Sequence, residues 1–239
     1  MAERVDDLNR RGLKIIQDTE LNRFGTDSVL LTGFAKIKKS WTVLDLGTGA
    51  GVIPLLLCAK TEAEHITGIE IQKALASLAE RSAALNGLSG RITVINGDIN
   101  DIDELIKPAS FDAVTANPPY VRKGAGVLNE SESDILARHE AAIDTRGVVR
   151  AAARSLKYGG RFYMVHRPER LAEIFRIFNE YNFEMKTLRF VQAYAGKKPK
   201  AALIEAALNG KPQLTVMPPL IMYERPGAYS DEMNAIYNG

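Results

Sequence analysis

The apolar positions between residues 41 and 116 follow two alternating patterns, which predict strands and helices in turn. Short runs rich in Val, Ile and Leu predict buried strands, and longer apolar or amphipathic stretches predict helices. The predicted strands are residues 43–46, 66–69, 92–95 and 111–116, and the predicted helices are 52–60 and 73–86. Strands that alternate with helices in this way indicate an α/β fold with a doubly wound parallel sheet.

The second half of the chain continues the pattern and then changes it. A stretch of about 25 residues after position 120 is predicted as a long loop, which is typical of a lid or binding segment. The predicted elements beyond it are helices 145–156 and 168–179 and strands 161–165, 183–194 and 201–208. The last two strands have no helix between them, so we expect a C-terminal β-hairpin that makes the last strand antiparallel. Before residue 41, the sequence predicts a small hairpin over 13–24 and a short helix over 27–35.

The amino-acid composition indicates the broad class of protein, but it does not indicate a binding partner. The 239 residues are 46% hydrophobic, which is enough for one sizeable core, and the formal net charge is only +2. Cys58 is the single cysteine, so no internal disulfide can form and a cytoplasmic protein is predicted. No apolar run approaches the roughly 20 residues of a membrane span, and the first ten residues lack the apolar centre of a signal peptide. His65, His139 and His166 are not at metal-ligand spacing, so no metal is predicted.

The segment Asn117, Pro118, Pro119 and Tyr120 carries the clearest chemical signal. It follows the predicted strand 111–116, so it lies on a loop at the carboxyl end of a strand, where open α/β sheets bind their ligands. The two prolines fix two backbone angles and remove two N–H donors. What remains is a stiff segment in which the Asn117 side-chain oxygen and the Pro118 carbonyl can each accept one N–H. Such a segment suits a planar group that carries an NH2, with Tyr120 stacked on its plane.

A glycine-rich turn joins the first strand to the first helix and predicts a cofactor site. Its residues are Asp45, Gly47, Thr48, Gly49 and Gly51. A dinucleotide fingerprint requires glycine at position 52, where this chain has valine. An anionic pyrophosphate would lie poorly beside Asp45, whereas a cationic ligand would lie well. S-adenosylmethionine, which carries a sulfonium and an ammonium group, fits this site better than a nicotinamide dinucleotide.

Two further acidic residues end the next predicted strands. Glu70, followed by Ile71, ends the second strand, and its carboxylate can accept hydrogen bonds from both hydroxyls of a ribose. Asp98 ends the third strand, where it can accept from an adenine amino group while Ile99 packs on the ring. Because the carboxyl ends of parallel strands meet at one edge of a sheet, we expect these acids to form one cofactor site with Asp45 and Asn117.

Taken together, these motifs resemble the class I S-adenosylmethionine-dependent methyltransferases that modify amino nitrogens. The resemblance spans residues 41–120, and the later strands fit it through residue 208. It implies a Rossmann-like, seven-stranded, mostly parallel sheet with a C-terminal antiparallel hairpin. It also implies that Asn117, Pro118, Pro119 and Tyr120 are the catalytic segment.

More of the chain is similar to one subgroup, the adenine-N6-methyltransferases of a valine tRNA, which act on the adenine 3′ to the anticodon. The similar segments are 24–31, Phe-Gly-Thr-Asp-Ser-Val-Leu-Leu, and 137–140, Ala-Arg-His-Glu. The resemblance implies that residues 1–40 cover the cofactor, with Thr26 and Asp27 near its methionine end. Residues 41–208 would be the methyltransferase domain and 209–239 a tail packed on or near it. Arg138, His139 and Glu140 receive no role from this reasoning.

Several other functions compete at this stage. Guanine-N2 methylation of ribosomal RNA uses a similar catalytic segment. Protein glutamine methyltransferases carry a helical substrate domain before the glycine turn, and DNA adenine methyltransferases need a target-recognition region, for which this chain has little room. A cofactor-binding module without catalysis would not require the Asn117–Tyr120 segment. A nicotinamide oxidoreductase is disfavoured by Val52.

An RNA substrate would require basic residues at its docking surface. Arg146, Arg150 and Arg154 recur every four residues and form one ridge on the predicted helix. The other candidates are Arg122 and Lys123 beside the catalytic segment and Lys197, Lys198 and Lys200 at the turn of the late hairpin. We predict an RNA-binding enzyme, most simply a monomer, whose substrate is structured RNA with tRNA foremost.

Overall fold

A computed structural model describes residues 3–18, 25–118 and 145–238. The strands in this part of the chain are β1 (Glu3–Asp7), β2 (Lys14–Asp18), β3 (Thr42–Leu46), β4 (His65–Glu70), β5 (Ile92–Asn96), β6 (Phe111–Ala116), β7 (Leu156–His166), β8 (Phe183–Gln192), β9 (Pro199–Leu208), β10 (Thr215–Val216), β11 (Leu220–Ile221), β12 (Tyr223–Arg225) and β13 (Ala228–Tyr229). The α-helices are α1 (Thr26–Phe34), α2 (Val52–Lys60), α3 (Lys73–Leu85), α4 (Ile102–Leu105), α5 (Thr145–Ser155), α6 (Leu171–Glu180) and α7 (Asp231–Asn238). The predicted elements of the α/β region are confirmed, with most ends within a few residues.

The strands β3 to β11 form one sheet in the order β10-β8-β9-β7-β6-β3-β4-β5, and β11 also pairs with β8. Strands β3, β4, β5, β6 and β7 are parallel to one another, and β9 is antiparallel to both β7 and β8. The predicted seven-stranded sheet with an antiparallel last strand is therefore confirmed, and β10 and β11 extend it at one edge. Because β8 runs against β9, and β9 against β7, the carboxyl end of β8 lies at the same edge as that of β6.

The two faces of the sheet bury different layers of helices. Along β3, Val43 packs into one core with α1 and α2, and its neighbour Leu44 packs into the other with α5 and α6. This alternation follows from the period of two in a strand, and it explains why β3 is buried on both faces. The helices cover the two faces of the sheet, so the loops lie at the carboxyl edge of the strands.

The N-terminal hairpin differs from its prediction. The sequence predicts a hairpin over 13–24, of which residues 19–24 lie outside the described residues. The described part, β2, pairs with β1, which lies before it. The charged run of β1 is exposed and shows no apolar alternation, so its pairing has no signal in the sequence. Ile16 is buried in β2, and its N–H donates to the Ser82 hydroxyl of α3 at 3.0 Å, so tertiary contacts fix this hairpin.

The helix and strand that follow residue 144 also differ slightly from prediction. Leu156 begins β7 rather than ending the helix, and a register shift separates it from the regular pairing that starts at Arg161. Gly159 allows this irregularity with a φ of 74°. The predicted helix 168–179 begins as a 3-10 turn over Pro168–Arg170 before α6.

The C-terminal segment, for which the sequence gives no element, follows the outer edge of the sheet. Its strands β10 and β11 pair in parallel with β8, and Arg189 of β8 donates to the Pro218 carbonyl at 3.0 Å and to Glu232 at the start of α7. Helix α7 packs on α1, where Ile236 lies so close to Gly33 that a Cβ there would be 3.0 Å from Ile236 Cγ2. The segment thus braces the helix that begins at Thr26.

Candidate active site

The carboxyl edge of the sheet brings the predicted site residues together. The strand order places β6, β3, β4 and β5 side by side, so the segments after them are neighbours. Asp45 lies opposite Thr115 on β6 and opposite Gly68 on β4, and Glu70 lies opposite Asn96 on β5. The parallel topology therefore gathers Asn117, Asp45, Glu70 and Asp98 into one crevice.

The glycine turn is held by backbone hydrogen bonds to β4. The N–H groups of Gly47 and Thr48 both donate to the Ile69 carbonyl, at 2.9 and 3.0 Å. Gly47, Gly49 and Gly51 have positive φ angles of 71°, 57° and 87°, which side chains rarely adopt.

The glycines of this region have different spatial roles. A Cβ at Gly51 would be 3.0 Å from Ala79 Cβ, so this glycine permits the packing of α2 on α3. Gly68, which the sequence did not single out, allows the turn to approach β4. A Cβ added at position 68 would lie 2.8 Å from Thr48 Cγ2, which is too close for any other residue. A Cβ at Gly49 would meet nothing within 4 Å, so Gly49 faces open space in the crevice.

Asp45 is fully buried and only partly satisfied. Its Oδ1 accepts a hydrogen bond from the Thr115 hydroxyl at 2.7 Å, whereas Oδ2 and the Thr48 hydroxyl have no hydrogen-bond partner among the described residues. Burial raises the pKa of Asp45 to about 7, with the Thr115 and Thr48 hydroxyls opposing this rise and the charge of Glu70 adding to it. A buried acceptor without a donor fits a ligand that brings a cationic or N–H group.

Glu70 links the glycine turn to the loop after β4. Its Oε2 accepts from the Gly49 N–H and its Oε1 from the Gln72 N–H, both at 2.9 Å. The side chain is only 5% exposed, so these two bonds hold the carboxylate in one orientation. Each carboxylate oxygen has a second lone-pair site, which keeps an acceptor for a ligand hydroxyl.

Asn96, which the sequence reasoning did not select, positions the adjacent loop. Its Nδ2 donates to the carbonyls of Glu70 and Ile71 at 2.8 and 3.0 Å, which fixes the backbone of the predicted ribose segment. Asp98 is half-buried, and its Oδ1 accepts from the Asn100 N–H at 2.8 Å as a cap of the following 3-10 turn. Ile99 is buried beside it, at 3% exposure.

Asn117 is oriented by the helix that precedes the sheet. Its Nδ2 donates to the Ser28 hydroxyl at 3.0 Å, across 89 positions of sequence. Ser28 lies in the first turn of α1, so Thr26 and Asp27 lie in that same turn near the end of β6. Pro118 is buried behind Asn117. Pro119, Tyr120, Arg122, Lys123 and residues 137–140 lie outside the described residues.

The predicted basic surfaces differ in their partners. On α5, Arg146 pairs with Glu180, Arg154 pairs with Asp103 at 2.7 Å, and Arg150 donates to the Asn100 carbonyl at 2.6 Å. Each arginine of the ridge therefore already has a partner within the protein. On the β8–β9 turn, Lys198 pairs with Glu169 at 3.0 Å, and Lys197 and Lys200 are exposed.

The part of the chain that the structure describes lacks two features of other protein classes. Within residues 3–18, 25–118 and 145–238, no group of three or more His, Cys, Asp or Glu side chains is arranged to hold a metal ion. In the same ranges, every helix is too short or too polar to cross a bilayer.

Comparison with known proteins agrees with the geometry. The chain is 29% identical over 221 residues to the tRNA1(Val) (adenine(37)-N6)-methyltransferase of Porphyromonas gingivalis, covering 88% of this chain and 85% of that one. It is 28% identical over 212 residues to the Aeromonas hydrophila protein of the same name, covering 87% and 86%. These relatives confirm the resemblance inferred from the motifs.

The fold is likewise similar to solved structures. A predicted O-methyltransferase from Agrobacterium tumefaciens superposes with a TM-score of 0.72 at 24% identity, covering 89% of this chain and 95% of that one. Residues 37–209 match the family model described as a methyltransferase domain, and this range holds the sheet from β3 to β9 together with the crevice at its carboxyl edge. The chain therefore belongs to the methyltransferase domain family and has the class I fold.

Proposed function

We propose that this protein is an S-adenosylmethionine-dependent methyltransferase that modifies N6 of an adenine in structured RNA. The specific substrate we propose is the anticodon-loop adenine 3′ to the anticodon of a valine tRNA. The relatives that align along more than four fifths of both chains are named tRNA1(Val) (adenine(37)-N6)-methyltransferase. The observation that carries the proposal is the position of Asn117, which is oriented by Ser28 beside the crevice of Asp45 and Glu70.

The crevice supplies complementary groups for each part of the cofactor. Asp45, with its buried unpartnered oxygen, would attract the cationic end, helped by Thr26 and Asp27 at the start of α1. Glu70 and Ile71 would hold the ribose, and Asp98 and Ile99 the adenine. Gly47, Thr48, Gly49 and Gly51 would let the backbone approach the ligand closely. When bound, S-adenosylmethionine supplies an electrophilic methyl group on its sulfonium.

The chemistry required of the protein is to make a poor nucleophile reactive. The lone pair of the adenine amino nitrogen is conjugated with the ring. Acceptors at Asn117 Oδ1 and the Pro118 carbonyl would bind its two hydrogens and hold the nitrogen pyramidal, so that the lone pair turns toward the methyl group. The nitrogen gains positive charge in the transition state, and the same two oxygens stabilise that charge.

Positioning contributes the rest of the rate. Holding the amine and the methyl group in line can supply up to about 7–11 kcal/mol in favourable cases. No strong general base is needed, because the protonated product amine is acidic. Tyr120 would stack on the extruded base, and an anticodon loop presents that base already partly unpaired.

The test is methyl transfer from labelled cofactor to defined substrates. A valine tRNA transcript should accept label, and a transcript with guanine in place of the target adenine should not. Total ribosomal RNA, a release factor and duplex DNA are incubated in parallel, followed by digestion and identification of the modified residue. Label on guanine N2 or on glutamine would replace the proposed substrate with one of its competitors. A cytoplasmic location and a monomeric state are part of the same proposal.

A further inference from the structure

A row of four tyrosines runs from the end of β8 into the C-terminal segment. The ring centroids of Tyr194 and Tyr223 are 5.7 Å apart, those of Tyr223 and Tyr229 are 5.1 Å apart, and those of Tyr229 and Tyr237 are 5.3 Å apart. The last two pairs are stacked, with interplanar angles of 19° and 13°. All four rings are only partly buried, so the row lies at the surface.

One end of this row lies at the edge of the sheet that holds the candidate active site. Tyr194 follows β8, whose carboxyl end shares that edge with β6 and Asn117. The Tyr223 N–H donates to the Ala193 carbonyl at 2.9 Å, which fixes the second ring beside the same strand end. The pairing registers through β7 and β9 place Asn117 level with Arg189 of β8. Tyr194 therefore lies about 15 Å across the sheet from Asn117 and about 17 Å further along the strand direction, roughly 20 Å away in all.

Two lysines, Lys197 and Lys200, lie near the Tyr194 end of the row. Lys197 is three residues beyond Tyr194, and its N–H donates to the Tyr194 carbonyl at 3.1 Å. Lys200 is the second residue of the antiparallel strand β9, which places it at the same edge. Neither lysine forms an ion pair within 4.0 Å in the part of the chain that the structure describes. A partly exposed ring near two cations suits a nucleotide, which offers a flat base and a phosphate.

We infer that Tyr194, Lys197 and Lys200 form a docking site for an unpaired nucleotide of the RNA substrate that lies a few nucleotides from the target base. The inference deepens the proposed function and rests on it. Within the described residues, Tyr194 contacts another aromatic ring only through Tyr223, and its side chain remains partly accessible to a base. Tyr223 packs beside that ring and is itself stacked on Tyr229, which stacks on Tyr237, so the C-terminal segment supports the proposed docking site.

The chain offers a matched control for this surface. Tyr158 is 83% exposed, near the irregular start of β7, which is at the opposite end of that strand from the active-site edge. Tyr194→Leu and Tyr158→Leu therefore make the same chemical change at two surface tyrosines. Only Tyr194 belongs to the proposed docking site. Tyr194→Phe keeps the ring and should restore binding.

The experiment measures the dissociation constant of a valine tRNA anticodon stem-loop at fixed salt, together with that of S-adenosylmethionine and the melting temperature. Loss of one stacked base should weaken RNA binding by about 5- to 150-fold in Tyr194→Leu. Tyr194→Phe and Tyr158→Leu should stay within about twofold of the unmodified protein. Replacing Lys197 and Lys200 with Ala should lower the slope of log affinity against log salt by about 1.4–1.8.

Two outcomes would overturn the inference. One is equal RNA affinity in Tyr194→Leu and Tyr158→Leu, and the other is a loss in Tyr194→Leu that affects S-adenosylmethionine and melting temperature to the same degree. Failure of the proposed function would look different. In that case the unmodified protein would bind RNA without methylating the target adenine, and the comparison of the two leucine variants would still report on the surface.

Discussion

Asn117 Nδ2 donates to the Ser28 hydroxyl at 3.0 Å, which joins the segment after β6 to the first turn of α1. With Nδ2 directed at the helix, Oδ1 is the atom of the amide that can accept a hydrogen bond from the substrate amine. The orientation of the residue proposed to activate the amine thus depends on a helix that precedes the whole sheet in sequence.

Replacing Asn117 with Ala should remove methyl transfer while cofactor binding survives. The change deletes one acceptor for the reacting amine, and groups that stabilise transition-state charge are typically worth about 100- to 1000-fold in kcat. Single-turnover methylation of tRNA and calorimetric titration with S-adenosylmethionine measure the two properties separately. Near-normal turnover would remove Asn117 from the mechanism.

Ser28→Ala should lower kcat about fivefold, because one hydrogen bond of roughly 1 kcal/mol that orients the amide is lost. The Asn117 side chain itself remains, so the effect should be smaller than that of Asn117→Ala. Ser155→Ala is the control, since Ser155 is equally buried but bonds to Ala151 within α5. If both serine variants lowered kcat by the same factor, the role of Ser28 in orientation would be disproved.

Gly49→Ala should weaken binding of S-adenosylmethionine although the new methyl group meets no protein atom. The Cβ would project into open space in the crevice, at a φ of 57°. Gly87→Ala at the end of α3 is a matched control, because Gly87 has a φ of 67° and equally open surroundings away from the site. Both variants should lose similar stability, about 1 kcal/mol or more, and only Gly49→Ala should lose cofactor affinity. Equal cofactor affinity in the two variants would mean that the ligand does not pass Gly49.

Asp45→Asn should make the cofactor-free protein more stable than the unmodified protein at pH 8. At pH 5 this gain in stability should be much smaller. Burial raises the pKa of Asp45 from an ordinary 3.8 to about 7. The folded state therefore binds more protons than the unfolded state between these values, and the contribution of Asp45 to the free energy of unfolding falls as pH rises through that window. Asparagine cannot ionise, so its variant lacks this loss.

Denaturant unfolding of both proteins at pH 5 and pH 8 measures the effect. In the Asp45→Asn variant the amide oxygen would still accept the Thr115 hydroxyl, so packing should be preserved. A stability difference that is the same at both pH values would show that Asp45 does not titrate in this window. The variant should in either case bind S-adenosylmethionine poorly, because the charge opposite the cationic groups is gone.

Reversing the charge of Arg154 to Glu should leave RNA affinity and its salt dependence nearly unchanged. Arg154 is held by Asp103, and the substitution places two carboxylates side by side, so the expected cost is a modest loss of stability. Filter binding over a range of salt concentrations measures the slope. A slope reduced by about one would return α5 to the list of RNA contacts.

The sequence by itself predicts the α/β sheet, because buried strands and helices have different apolar periods and need no distant partner to be recognised. It also predicts that Asp45, Glu70, Asp98 and Asn117 share an edge, since parallel strands align their carboxyl ends. The antiparallel β9 follows in the same way from two strands that lack a connecting helix.

Only the tertiary structure reveals the residues that support this site. Ser28, Thr115 and Asn96 are short polar side chains with no distinctive pattern, and their roles arise from strands and helices that lie far apart in sequence. The same holds for the tail, whose short strands carry no periodicity and form because β8 offers an unpaired edge. The arginines of α5 are periodic in sequence, but whether each charge faces an RNA or a carboxylate depends on which neighbour the fold packs against that helix.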